Sequence, residues 1–173
     1  MPPRVVFVGA PGAGKSTVGR RVAEALKVPF ADSDALVEKE AGKSVSDIFI
    51  SDGEEEFRRI ESDVIHAALE NFTGVLSLGG GAILNPETRS ALEGQRVMWL
   101  QVDLPHATQR VGLNSSRPLL LGNVRGTMLT MLEQRSPLYA EVATNVIDTS
   151  GKPIKDIVQQ ALDLLESSEG SVG

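Results

Sequence analysis

Residues Gly9 to Ser16 read Gly-Ala-Pro-Gly-Ala-Gly-Lys-Ser, which fits the phosphate-binding pattern G-x-x-x-x-G-K-[ST] at every fixed position. Such a loop cradles phosphates because its backbone N–H groups, with those of the helix that follows, point at one anion. Gly12 and Gly14 let the chain approach the phosphates with no Cβ in the way. Lys15 adds a positive charge for the outer phosphates, and the Ser16 hydroxyl offers an oxygen to Mg²⁺. The candidate nucleotide-binding set is therefore Gly12, Ala13, Gly14, Lys15, Ser16 and Thr17, in a loop spanning 9–17. The pattern implies binding of a nucleoside triphosphate.

A second group of residues could act on whatever accepts a phosphate. Asp32-Ser33-Asp34 places two carboxylates one residue apart, so that one can serve a metal shell and the other a substrate hydroxyl. Either could instead cap the helix that begins near Leu36. Asp103 follows the apolar run Val97–Val102 and rivals Asp32 as the metal acid, although Asp103-Leu104-Pro105 also reads as a helix start. Spacing leaves both acids open. Gly79-Gly80-Gly81 exposes a row of backbone N–H groups and makes room for a ligand against the chain. Arg58 and Glu61 lie three apart on a helical pattern, so the acid can orient the guanidinium or merely share a solvated pair with it. Arg117 lies between Gly112 and Gly122, in a segment that suits a mobile lid. Arg135 is expected to end its helix just before Ser136-Pro137, where it could stabilise the helix terminus or reach into a cleft. Lys152 and Pro153, in the turn after the last apolar run, could edge a nucleotide base.

These residues need a scaffold, and apolar runs supply one. Strands are expected at Val5–Val8, Val28–Ala31, Val75–Leu78, Val97–Val102 and Asn145–Ile147, with helical patterns between them. Ile154, Ile157, Val158, Ala161, Leu162 and Leu165 follow a 3.6-residue period. Ser44 and Asp47 read as the capping pair of a short helix. Short apolar strands alternating with helices imply an α/β fold: a five-stranded parallel sheet covered on both faces. Ligands bind beyond the carboxyl ends of such strands, where the candidate residues fall.

Composition narrows the partners. A chain of 173 residues suits one domain, 1–173. A net charge of −6 argues against nucleic acid as a partner. Without cysteine there are no disulfides and no thiolate metal sites. No apolar run approaches the roughly 18 residues of a membrane span, and Val5–Val8 is too short for a signal peptide's apolar region. A cytoplasmic protein, acting as a monomer, is the expectation.

Taken together, the P-loop, Asp32-Ser-Asp34, Phe57-Arg58-x-x-Glu61, Leu78-Gly-Gly-Gly81, Arg117-Pro-Leu-Leu120 and Arg135-x-Pro-Leu-Tyr139 resemble the shikimate kinases, P-loop phosphotransferases of the nucleoside-monophosphate-kinase type. The resemblance runs from about Val5 to Leu165. It implies transfer of the ATP γ-phosphate to the 3-hydroxyl of shikimate, with a substrate region near 33–61 and a lid near 112–124. Ser16 and Asp32 would hold Mg²⁺, and Asp34 would act as, or position, the base for the hydroxyl. Arg58, Arg135 and the 79–81 glycines, Gly80 above all, would bind shikimate, with Phe49 and Phe57 walling the pocket. Lys15 and Arg117 would neutralise the transferring phosphate, while Arg110 and Pro153 sandwich adenine. Lys152 stands where many members carry arginine in the adenine loop. A kinase of this fold acting on gluconate is the nearest alternative. A GTP-driven switch is disfavoured, since no [NT]-K-x-D segment is present.

Overall fold

The computed structural model describes residues 2–113 and 124–170. Within them, β1 (Val5–Val8), β2 (Phe30–Asp32), β3 (Val75–Ser77), β4 (Val97–Gln101) and β5 (Asn145–Asp148) form one sheet in the order β2-β3-β1-β4-β5. Every pairing is parallel. The helices are α1 (Lys15–Leu26), α2 (Ser33–Ala41), α3 (Val45–Ser51), α4 (Glu54–Asn71), α5 (Pro86–Ala91), α6 (Leu104–Leu113), α7 (Val124–Val142) and α8 (Ile154–Gly170). A short 3₁₀ turn covers Ala82–Leu84.

The central position of β1 follows from its side chains, which alternate between two cores. Val5 and Phe7 face α1 and α8, where they meet Val18, Val22, Ile157, Ala161 and Leu165. Val6 and Val8 face the other layer, with Ile65, Leu69 and Tyr139. A strand apolar on both faces must be covered on both. A third cluster, Val37, Ile48 and Phe57, binds α2, α3 and α4 into a helical unit beside the sheet.

β3, β4 and β5 end within one residue of expectation, α2 begins at Ser33 rather than near Leu36, and two further boundaries differ for local reasons. β2 begins at Phe30 rather than Val28, because the Val28 N–H still closes α1 by donating to the Ala23 carbonyl and Pro29 has no N–H to give. At its other end the strand runs on to Asp32, which pairs in register with Ser77 of β3. Arg135 does not end a helix either: α7 continues through Pro137 to Val142. Proline removes one intrahelical bond, but beyond it Tyr139 is fully buried and Leu138 and Val142 pack on the same core. Burial outweighs the lost bond, so Arg135 and Tyr139 share one face a turn apart. Among the described residues no helix is long and apolar enough to cross a membrane. Most of the segment expected as a lid, with Arg117, lies outside the described residues.

The turn from β1 into the P-loop is sterically closed. A Cβ on Gly9, whose φ is +153°, would lie 2.6 Å from the Leu100 carbonyl oxygen of β4. Gly9→Ala should therefore cost about 1–3 kcal/mol of stability, as overpacking does, measured by urea unfolding.

Candidate active site

The P-loop joins β1 to α1, and Gly14 starts the helix in the left-handed conformation at φ 88° with no side chain capping it. The N-terminal amides of α1 are thus directed into the loop, where an anion is favoured. Lys15 Nζ donates to the carbonyls of Gly9 at 2.7 Å and Ala10 at 3.1 Å, which lays the ammonium across the loop.

Ser16 Oγ donates to Asp32 Oδ2 at 2.7 Å, tying α1 to the end of β2. The other oxygen of Asp32 accepts from the Asp34 N–H at 2.8 Å and caps α2. One carboxylate thus caps the helix and still presents an oxygen to the P-loop serine. Asp103 is engaged elsewhere: it accepts from the His106 N–H at 2.9 Å and pairs with that imidazole at 2.6 Å. These bonds hold its carboxyl below the usual range. Among the two rival acids, only Asp32 is brought to the P-loop hydroxyl.

Asp34, Arg58 and Arg135 converge on the triglycine loop, each against a different glycine. A Cβ on Gly79 would lie 2.8 Å from Asp34 Oδ1, one on Gly80 would lie 3.3 Å from Arg135 Nη1, and one on Gly81 would lie 2.5 Å from Arg58 Nη2. The glycines are needed for space, since three charged groups occupy what side chains would fill. The same Gly80 position is 3.1 Å from Pro11 Cδ, so the cluster abuts the P-loop.

Glu61 is buried, 3% exposed, and accepts from Arg58 Nη1 at 2.9 Å. Burial pushes its carboxyl up, and the nearby Asp34 adds to the rise; Arg58 and Arg135 oppose it. Arg58 also lies over the Phe57 ring at 5.2 Å, and Phe57 packs on Phe49 at 4.8 Å between centroids. The pair is therefore a built support for the guanidinium, unlike the solvated pairs of Arg59 on the same helix.

Two residues in this cluster carried no assignment from sequence. Ser33 is fully buried, and its hydroxyl accepts from the Gly79 N–H at 2.8 Å. Tyr139 donates its hydroxyl to the Gly80 carbonyl at 2.6 Å. Both lie inside the segments quoted above, Asp32-Ser-Asp34 and Arg135-x-Pro-Leu-Tyr139, and that proximity was the available signal. The turn with Lys152 and Pro153 is exposed and sits against α6: the Asp103 N–H donates to Ser150 Oγ at 2.8 Å, and the Ser150 N–H to Asp148 Oδ1 at 3.0 Å. The Arg110 side chain, on α6, lies outside what is described.

The raised Glu61 carboxyl has a consequence for stability. The folded chain holds this proton to higher pH than the unfolded chain does, so the group favours folding most below the ordinary carboxylate range. That contribution fades as pH rises through the raised value. In urea unfolding at several pH values, the stability of wild type relative to Glu61→Gln should fall with rising pH.

The chain is similar to known proteins in both sequence and fold. The family model described as Shikimate kinase matches residues 11–166. A shikimate kinase of Thermobifida fusca is 52% identical over 148 residues, covering 86% of each chain. One of Salinispora tropica is 50% identical over 167 residues, covering 96% of this chain and all of the relative. Among solved structures, the shikimate kinase of Acinetobacter baumannii in complex with shikimate superposes with a TM-score of 0.90 at 36% identity, covering 97% of this chain and 94% of that one. The chain belongs to the shikimate kinase family.

Proposed function

We propose that this chain transfers the γ-phosphate of ATP to the 3-hydroxyl of shikimate, giving shikimate 3-phosphate and ADP, on the route to chorismate and the aromatic amino acids. The observation that carries this reading is the convergence of one carboxylate, Asp34, and two guanidiniums, Arg58 and Arg135, on a glycine loop beside a P-loop. An acceptor with its own carboxylate and a row of hydroxyls suits that set. A nucleotide acceptor would bring a phosphate against Asp34 and be repelled.

Phosphoryl transfer asks a protein mainly to position and neutralise. Arg58 and Arg135 anchor the shikimate carboxylate, with Gly79, Gly80 and Gly81 at the loop and Phe49 and Phe57 as the apolar wall. Asp34 then faces the 3-hydroxyl and takes its proton as the new P–O bond forms and the bond to ADP breaks. Lys15 and Arg117 offset the charge on the transferring group, Arg117 from a lid at 112–124. The hydroxyl of Ser16 and the carboxylate of Asp32, 2.7 Å apart, are hard oxygen donors that fit Mg²⁺. When bound there, Mg²⁺ supplies charge neutralisation at the phosphate oxygens. Gly12, Ala13, Gly14 and Thr17 complete the phosphate cradle, and adenine lies between Arg110 and Pro153 with Lys152 at its edge. The chain works as a single domain and a monomer in the cytoplasm.

ADP release measured in a coupled assay should depend on shikimate and be absent with gluconate; release that ignores shikimate would overturn the reading. Asp34→Asn should lower kcat by about 10²–10⁴, as loss of a base or positioning carboxylate does, with the ATP KM little changed. A collapse of ATP affinity with kcat held would move Asp34 into the metal shell. Lys15→Met should remove about 10²–10³ in rate from a chain that still folds, as circular dichroism can check.

A further inference from the structure

The triglycine loop has no side chains with which to hold itself, and glycine is the residue with most backbone freedom to lose. Its outer peptides are tied: the Gly79 N–H donates to Ser33 Oγ, the Ala82 N–H to the Gly79 carbonyl, and the Leu84 N–H to the Gly81 carbonyl. The middle carbonyl, of Gly80, accepts from Tyr139 Oη at 2.6 Å. Tyr139 is 1% exposed, and its ring packs on Trp99 of β4 at 5.7 Å between centroids, so the donor is fixed by the core. We infer that Tyr139 is a positioning residue for shikimate: its hydroxyl sets the plane of the Gly80–Gly81 peptide and holds it at a fixed separation from Arg135, one helical turn away on α7. This rests on the reading that Gly80 and Arg135 meet the substrate carboxylate.

The physical chain is short. A peptide is planar and trans, so fixing the Gly80 carbonyl toward Tyr139 turns the Gly81 N–H the opposite way. Tyr139 and Arg135 lie i and i+4 on one helix, so their separation is set by helix geometry. Arg135 Nη1 in turn lies 3.3 Å from where a Gly80 Cβ would stand. Loop and guanidinium are thereby referenced to the same helix. Burial raises the Tyr139 hydroxyl to about 12, with Arg135 opposing, so the group stays protonated and donating throughout the range in which the enzyme would be assayed.

Tyr139→Phe keeps the ring and removes the hydroxyl, the donor to Gly80 that also faces Arg135. It should raise the KM for shikimate about 3- to 10-fold, the range of one hydrogen bond, while the KM for ATP and kcat stay within about two-fold. With the methyl ester of shikimate, which lacks the carboxylate charge, the variant and wild type should behave alike. A purely structural tyrosine would lower Tm without that dependence on the carboxylate. Arg135→Ala serves as the control. If it raises the shikimate KM and Tyr139→Phe does not, the positioning role is overturned and the carboxylate site stands. If neither variant moves it, the carboxylate site is misplaced and the positioning role falls with it. A second measurement needs no substitution, because Tyr139 is the single tyrosine of the chain. Protein labelled with 3-fluorotyrosine should give one ¹⁹F resonance that shifts on saturation with shikimate and not with ADP alone; a resonance unmoved by shikimate overturns the proposal.

Discussion

The missing side-chain volume at Gly79, Gly80 and Gly81 is the constraint on which the rest of the site depends. Three charged groups from three different helices come within 2.5–3.3 Å of where Cβ atoms would be. Asp34 comes from the first turn of α2, Arg58 from α4 and Arg135 from α7. An added methyl at Gly79 or Gly81 would have to displace a charge, and one at Gly80 would crowd Pro11 and Arg135. The loop thus acts as the floor against which the three charged groups are spaced, and Ser33 and Tyr139 hold it from either side.

Such a cluster is electrostatically demanding. Glu61 is buried beside Asp34, and a lone buried carboxylate would be costly. Arg58 and Arg135 offset the Glu61 charge, and the ion pair at 2.9 Å leaves the Arg58 fork aligned along Gly81. A buried pair of this kind is weak evidence for stability, because desolvation opposes the attraction. Its value here is orientation: a guanidinium held by Glu61 and stacked on Phe57 has few other places to go. Such preorganisation is what the proposed carboxylate anchor requires.

The start of α2 joins the two halves of the site. Asp32 receives the Ser16 hydroxyl and caps the helix, Ser33 holds Gly79, and Asp34 faces the glycine loop. Three consecutive residues therefore reach the P-loop serine, the Gly79 amide and the face of the glycine loop. This works because β2 ends at Asp32 and α2 begins at once, with no intervening loop to loosen the spacing. Pairing of β2 with β3 sets Asp32 level with Ser77, so the two loops leave the sheet side by side.

What the sequence determined by itself was local. The P-loop, the alternation of short apolar strands with helices and the family resemblance are patterns within short windows, and each is written in residue type and spacing. The family was legible in those patterns, which also named candidates for the chemistry. What tertiary structure alone decided was partnership. The choice between Asp32 and Asp103 depends on which acid the sheet order brings to Ser16, and sequence distance carries no trace of that. The continuation of α7 through Pro137 depends on core burial of Tyr139, which outweighs a local rule about proline. The reason for three glycines also lay outside the loop, in the side chains of α2, α4 and α7 that press against it. Spacing along a chain specifies hydrogen bonds within an element; contacts between elements appear only once the core has packed them together.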